Sequence, residues 1–284
     1  MNDAPEWLAG AWYLVWMAAL PALLLVENAA PRQRAHPRPW RRWSGNLALA
    51  AGFWWLGRET LLLGAAASAL WLGAEPPGLL TWMSLPAFIA LPVALLLMDW
   101  VEYAIHWAYH HNPLLWRLHR LHHSDPHVDL STTLRQHPLV VFVDVPARLL
   151  IWTALGIPPL AVLIYQSVSL AVHLFGHVNW QLPVAVEKRL RRILVTPDFH
   201  VVHHSPERIE TDSNYGSVLP WWDYLFGTAQ LRDAAHCRAL APGLEEFRDE
   251  GDLWLHRLLL QPWRRTRPQT EQVGRSTRVR EKQS

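Results

Sequence analysis

The chain has 284 residues, of which 51% are hydrophobic, with 16 histidines, a single cysteine (Cys237) and a formal net charge of +2. One cysteine excludes internal disulfides, a four-cysteine iron–sulfur cluster and cysteine-based zinc fingers, and the chain shows neither a Gly-rich nucleotide loop nor a nucleic-acid surface. The hydrophobic residues are bunched into runs, which marks a multi-pass membrane protein rather than a soluble domain.

Three runs come first, at 7–26, 47–72 and 79–101, each long enough to cross about 30 Å of hydrocarbon at about 1.5 Å per helical residue. Asp3 and Glu6 precede the first run where a cleaved signal needs basic residues, so this run is read as a retained span. Trp7, Trp40, Trp43, Trp71, Trp82 and Trp100 lie near the run ends, where amphipathic rings prefer the headgroup layer. Arg32, Arg34, Arg38, Arg41 and Arg42 crowd the first link and place it in the cytoplasm. The second link, at Glu75, Pro76, Pro77 and Gly78, carries no Lys or Arg and belongs on the other side, so the third run returns His106 and His110 to the cytoplasm.

Residues 138–177 are apolar but broken by Gly156, Pro158 and Pro159, which predicts a hairpin of helices over about 139–155 and 158–176 that goes out and back. Arg148, midway along the first leg, must face the bundle, pair or snorkel. Residues 184–195 set Val184, Leu190, Ile193 and Leu194 against Lys188, Arg189, Arg191 and Arg192. That pattern suits a basic amphipathic helix on the cytoplasmic leaflet, with docking of an acidic electron donor as the alternative. The chain therefore divides into N-terminal spans at 1–89, a core at 90–230, a helical extension at 231–263 and a disordered basic tail at 264–284. The expected fold is all-α: a multi-pass integral membrane helical bundle of five crossings, N-terminus outside and C-terminus inside, in the cell membrane if the source is bacterial.

Ten histidines fall into four boxes: His106 and His110; His119, His122 and His123; His173 and His177; His200, His203 and His204. The pattern H-x-x-H-H occurs twice, whereas random placement of the histidines yields it about 0.05 times. Residues i and i+4 share a helix face, so each pair is spaced to hold one ion, and ten imidazoles suffice for two ions with positions left open. All four boxes gather at the cytoplasmic face under the topology above. Residues 106–110 lack the glutamate of a zinc-protease H-E-x-x-H. Asp99, Glu102, Asp125 and Asp198 flank the boxes as candidates to orient imidazole N–H groups, and His137, beside Arg135 and Pro138, is the best such candidate among the other histidines, His36, His111, His127, His236 and His256. Trp107, Trp116, Phe175, Trp221 and Trp222 are candidate walls of a substrate channel.

The boxes stand within L-M-D-W-V-E-Y-A-I-H-W-A-Y-H at 97–110, H-R-L-H-H-S at 119–124, L-R-Q-H-P at 134–138, F-G-H-V-N at 175–179, T-P-D-F-H-V-V-H-H-S at 196–205, N-Y-G at 214–216 and W-W-D-Y-L-F-G-T at 221–228. In these motifs, over about residues 90–230, the chain resembles the fatty acid hydroxylase and sterol desaturase superfamily. The resemblance implies a membrane-bound di-iron enzyme, its catalytic domain at 90–230, that uses O2 and two electrons to hydroxylate a C–H bond of a fatty acyl, sterol or isoprenoid lipid. It carries the two-iron ligand set over to the ten box histidines, and implies a separate electron donor of cytochrome b5, ferredoxin or flavin type. Spacing alone does not choose iron over zinc; an unactivated C–H bond demands a redox metal, which zinc is not. Desaturation at the same site is the alternative reaction, and a membrane metal-handling protein is the alternative of another class.

Overall fold

A computed structural model describes residues 20–34, 39–72 and 78–265, with only the backbone described over 58–72. Among them the chain is helical, its one β feature being an isolated bridge between Pro31 and Trp180. Most of the first hydrophobic run, and His36, lie outside the described residues; of that run the described part is helix α1, Leu20–Ala29. The expected tail from residue 266 onward lies outside them too.

Helix α2, Pro39–Leu72, starts eight residues before the second run was expected to, with Pro39 supplying a preset φ at its first turn. Arg42 is therefore not part of an exposed link. It is fully buried and pairs with Asp125, at 2.9 Å, and with Asp129, tying α2 to the loop that follows the first H-x-x-H-H box. The third run is not one helix either. A short helix α3, Leu79–Met83, stops at Ser84, whose φ of 50° is left-handed, and α4 begins after Pro86 as Ala87–His111. Proline disfavours the helical conformation of the residue before it, which explains the break. The span consequently shifts toward the histidines, and His106 and His110 lie on its last turns.

Helix α5, Pro113–His123, follows at once: Asn112 caps it by accepting from the backbone N–H of Leu114 and Leu115. The hairpin forms as α6, Val141–Leu155, and α7, Pro159–His177, turned by Gly156 at a φ of 67°. Gly78 packs directly against that turn, so close that a Cβ on it would stand 2.1 Å from the Gly156 nitrogen. The helices Ala87–His111, Pro138–Leu155 and Pro159–His177 are each long and apolar enough to cross a membrane. Between α4, α7 and the later segment lies the main core, built on Met98, Tyr165, Val172, Phe199 and Val218, with the fully buried Ala94 and Ala161 permitting close helix approach.

Residues 184–195 form a shorter helix than expected, α8, Val184–Leu190, followed by turns. Its inward side carries Glu187, while Val184, Val186 and Ile193 are exposed beside the cations. Helix α9, Pro197–His203, carries the last box behind a Thr196 cap. Helix α10, Arg208–Thr211, and α11, Trp221–Phe226, bracket a loop that returns to α4. Helices α12, Ala234–Ala239, and α13, Leu255–Leu260, close the described chain.

Candidate metal centre

Helices α4, α5, α7 and α9 all end at one place, with the histidine boxes in or beside their last turns. Backbone carbonyls at helix C-termini carry partial negative charge, so four converging ends favour a cation before any side chain is counted.

The side chains divide into two groups whose ligand atoms lie within 4.8 Å of one another. His106, His110, His119, His123 and His203 make the first; His122, His177, His200 and His204 make the second. Each H-x-x-H-H box therefore splits: its i and i+4 members go to one group and its middle histidine to the other. His173 joins neither group. Its Nε2 instead meets Ser217 Oγ at 3.2 Å.

Three rings have their tautomer fixed by a carbonyl, which only accepts. His106 Nδ1 donates to Tyr215 O at 2.9 Å, His203 Nδ1 to Ser213 O at 2.6 Å and His177 Nδ1 to His173 O at 2.7 Å. Their Nε2 atoms are left as bare lone pairs. Yet His203 Nε2 and His106 Nε2 stand 3.0 Å apart, and His177 Nε2 has those of His122, His200 and His204 at 3.1, 3.0 and 3.2 Å. The lone pairs of His106 and His203 therefore face each other and repel unless a cation lies between them, and of the three nitrogens crowding the His177 lone pair at most one can donate to it. Ligand nitrogens about 2.1 Å from one metal ion sit about 3.0 Å apart at right angles, so the spacing fits a metal. His110 Nε2, buried and without a hydrogen-bond partner among the described residues, points to the same conclusion.

Burial first, and neighbouring imidazoles second, hold His119, His122, His123, His200, His203 and His204 well below the ordinary imidazole range. They are neutral at pH 7, the form that binds metal.

The residues that orient these rings differ from those the sequence suggested. Asp99 accepts from Tyr165, Trp222 and the backbone N–H groups of Val218 and Leu219; Glu102 pairs with Arg148, Asp125 with Arg42, and Asp198 with Arg32. None of the four bonds a box histidine. His137 caps the turn at Pro138 and donates to Leu259 O, anchoring the C-terminal segment rather than the centre. The orienting groups are instead the carbonyls of Ser213 and Tyr215, and Asp212 beside His110 Nδ1 at 3.4 Å. Asp223 of α11 holds that loop by accepting from the N–H groups of Tyr215 and Gly216, both at 2.8 Å, and burial pushes its carboxyl up to about 6. Carbonyls leave no mark in a sequence; the N-Y-G motif at 214–216 was the one available signal. Of the candidate channel walls, Trp116 lies 4.9 Å from the His110 ring, whereas Trp107 stacks on His111 and Trp221 faces outward.

Residues 91–228, which contain all ten box histidines, match the family described as Fatty acid hydroxylase. Over these residues the chain belongs to the fatty acid hydroxylase and sterol desaturase superfamily. This hydroxylase domain is 36% identical over 145 residues to alkylglycerol monooxygenase of Homo sapiens, covering 49% of this chain and 30% of that protein. Ornithine lipid hydroxylase OlsE of Rhizobium tropici is 29% identical over 143 residues, 50% of this chain and 42% of its own. Very-long-chain aldehyde decarbonylase GL1-7 of Oryza sativa subsp. japonica is 30% identical over 176 residues, 56% of this chain and 26% of its own. The chain thus spans less than half the length of these relatives. No solved structure matches it.

Proposed function

We propose that this hydroxylase-family chain is a membrane-embedded non-haem di-iron oxygenase that hydroxylates a C–H bond of a lipid, using O2 and electrons from a separate donor protein, with the histidine centre at the cytoplasmic face. The observation that carries the reading is the pair of imidazole groups whose Nε2 atoms converge at 3.0–3.2 Å around two centres. His106, His110, His119, His123 and His203 would hold one iron, and His122, His177, His200 and His204 the other. Iron supplies the one-electron chemistry that an unactivated C–H bond requires and that zinc lacks.

The chain's own contribution is positioning. Carbonyls of Ser213, Tyr215 and His173 fix the ring tautomers, and burial keeps the box rings outside the spans neutral. The apolar surroundings exclude water, and a long lipid held in one pose gains selectivity from orientation rather than from the oxidant. The names of the relatives support a lipid substrate, since an alkylglycerol, an ornithine lipid and a very-long-chain aldehyde all carry long apolar chains.

Lipid profiling of cells with and without the gene tests the reaction. A species gaining one oxygen supports hydroxylation, a species losing two hydrogens supports desaturation at the same site, and no lipid change refutes both. Purified protein should carry two iron ions per chain; readily exchanged zinc and no iron would instead mark a metal handler.

A further inference from the structure

Arg148 lies within a helix long and apolar enough to cross the membrane, where an unpaired guanidinium is costly. It is paired twice. Its Nε and NH2 donate to the two oxygens of Glu102 at 2.6 and 2.7 Å, its NH1 donates to Asp144 at 2.7 Å, and Tyr109 OH donates to the other Asp144 oxygen at 2.5 Å. Three of the five guanidinium N–H groups are used, and two remain. Both carboxylates keep spare lone pairs. The pair is also not sealed: the side chains of Arg148 and Glu102 stay 22% and 11% exposed. Hydrocarbon offers these groups nothing, so whatever covers them in the membrane carries hydrogen-bonding atoms of its own.

The location narrows the occupant. Of the ten box histidines, eight are buried and only His106 and His173 are partly exposed. Glu102 stands four residues before His106 on α4, on the same helix face and about 6 Å along the axis. The partly exposed side of the centre therefore lies next to the Glu102–Arg148 pair.

We propose that Glu102, Arg148 and Asp144 form the seat for a hydroxyl group of the lipid substrate, placed a few ångströms from the carbon that reacts. A hydroxyl both donates and accepts, which matches spare N–H groups lying beside spare carboxylate lone pairs. A phosphate or carboxylate headgroup brings acceptors alone, which answer the spare N–H groups but not the carboxylate lone pairs. The inference deepens the oxygenase reading and rests on it for the word substrate. It also requires the oxidised carbon to lie near the hydroxyl rather than at the far end of the chain.

Equilibrium binding to the iron-loaded protein in phosphatidylcholine nanodiscs, without reductant, tests it with three tritiated probes sharing one chain: hexadecan-1-ol, hexadecane and hexadecyl phosphate. The natural chain should bind the alcohol at least ten-fold more tightly than either other probe. Glu102→Gln, which exchanges a carboxylate acceptor for an N–H donor, should relax the rejection of hexadecyl phosphate. The triple substitution Glu102→Leu, Asp144→Asn and Arg148→Leu removes every charge of the cluster, a change that folds commonly tolerate, and should abolish the preference for the alcohol over hexadecane while iron content is retained. Equal binding of the three probes by the natural chain, or preferences unchanged in either variant, overturns the hydroxyl seat. Iron measured on the same samples separates the two readings: a natural chain without iron refutes the oxygenase and leaves the binding result to be judged by itself.

Discussion

His106 and His203 show how far single atoms decide the chemistry. Each ring gives its Nδ1 proton to a carbonyl, each presents a bare Nε2, and the two nitrogens meet at 3.0 Å. The same logic separates His177 from His173, four residues apart on α7. His177 has three imidazole nitrogens around its Nε2, and His173 has a serine hydroxyl. His177→Ala should therefore lower bound iron from two ions per chain toward one, and His173→Ala should leave two; elemental analysis of the purified variants checks this, and equal loss in both would return His173 to the ligand set. Asp223 acts through the backbone. Asp223→Ala leaves the buried N–H groups of Tyr215 and Gly216 without acceptors, at about 1–3 kcal/mol each. The thermal midpoint should fall by several degrees, and iron should fall with it as the carbonyl on His106 is released. The ten histidines were legible because their repetition is far from chance. Their partition into two groups was not, because a box read along the chain looks like one site, whereas helical geometry turns its middle histidine away from its outer two.

The elements follow sequence where hydrophobic periodicity and proline coincide. The hairpin at 138–177 forms with its turn at Gly156, as the Gly and Pro residues foretold, and Arg148 is paired within the bundle. The run at 79–101 misled, because hydrophobicity alone does not register that Pro86 ends one helix and starts another. The buried Arg42 was equally hidden: a cluster of arginines next to a span reads as a topology signal, and only the fold brings Asp125 and Asp129 to it. The turn itself is a point of stress. Gly156 holds a φ of 67°, and a Cβ there would stand 2.8 Å from Thr81 Oγ1, with Gly78 on its other side. Gly156→Ala should destabilise the protein by about 1–3 kcal/mol, combining left-handed strain with that collision. A melting temperature equal to that of the natural chain would show that the hairpin turn can move aside.

Across the whole molecule, the largest consequence of burying so many imidazoles is a stability that depends on pH. Unfolded histidine takes up a proton near pH 6.5, whereas in the folded chain His119, His122, His123, His200, His203 and His204 do so only at much lower pH. Below about pH 6.5 the unfolded state thus binds more protons, and stability falls as pH falls, by up to about 1.4 kcal/mol per pH unit for each histidine. Glu187 and Asp223, raised to about 7 and about 6, act in the opposite sense, and Glu27, Asp198 and Asp212 are raised too; six histidines still exceed five carboxyls. The metal-free protein should lose thermal stability steadily from pH 7 to pH 5.5, and a flat or rising profile would mean that these rings are solvated.

Convergence of four helix C-termini on one point is the feature from which the rest of the account descends. Iron-edge anomalous diffraction from crystals of the purified protein tests it most directly. Two iron peaks are predicted, one among His106, His110, His119, His123 and His203 and the other among His122, His177, His200 and His204. A single peak, or peaks lying outside these two groups, would contradict the account.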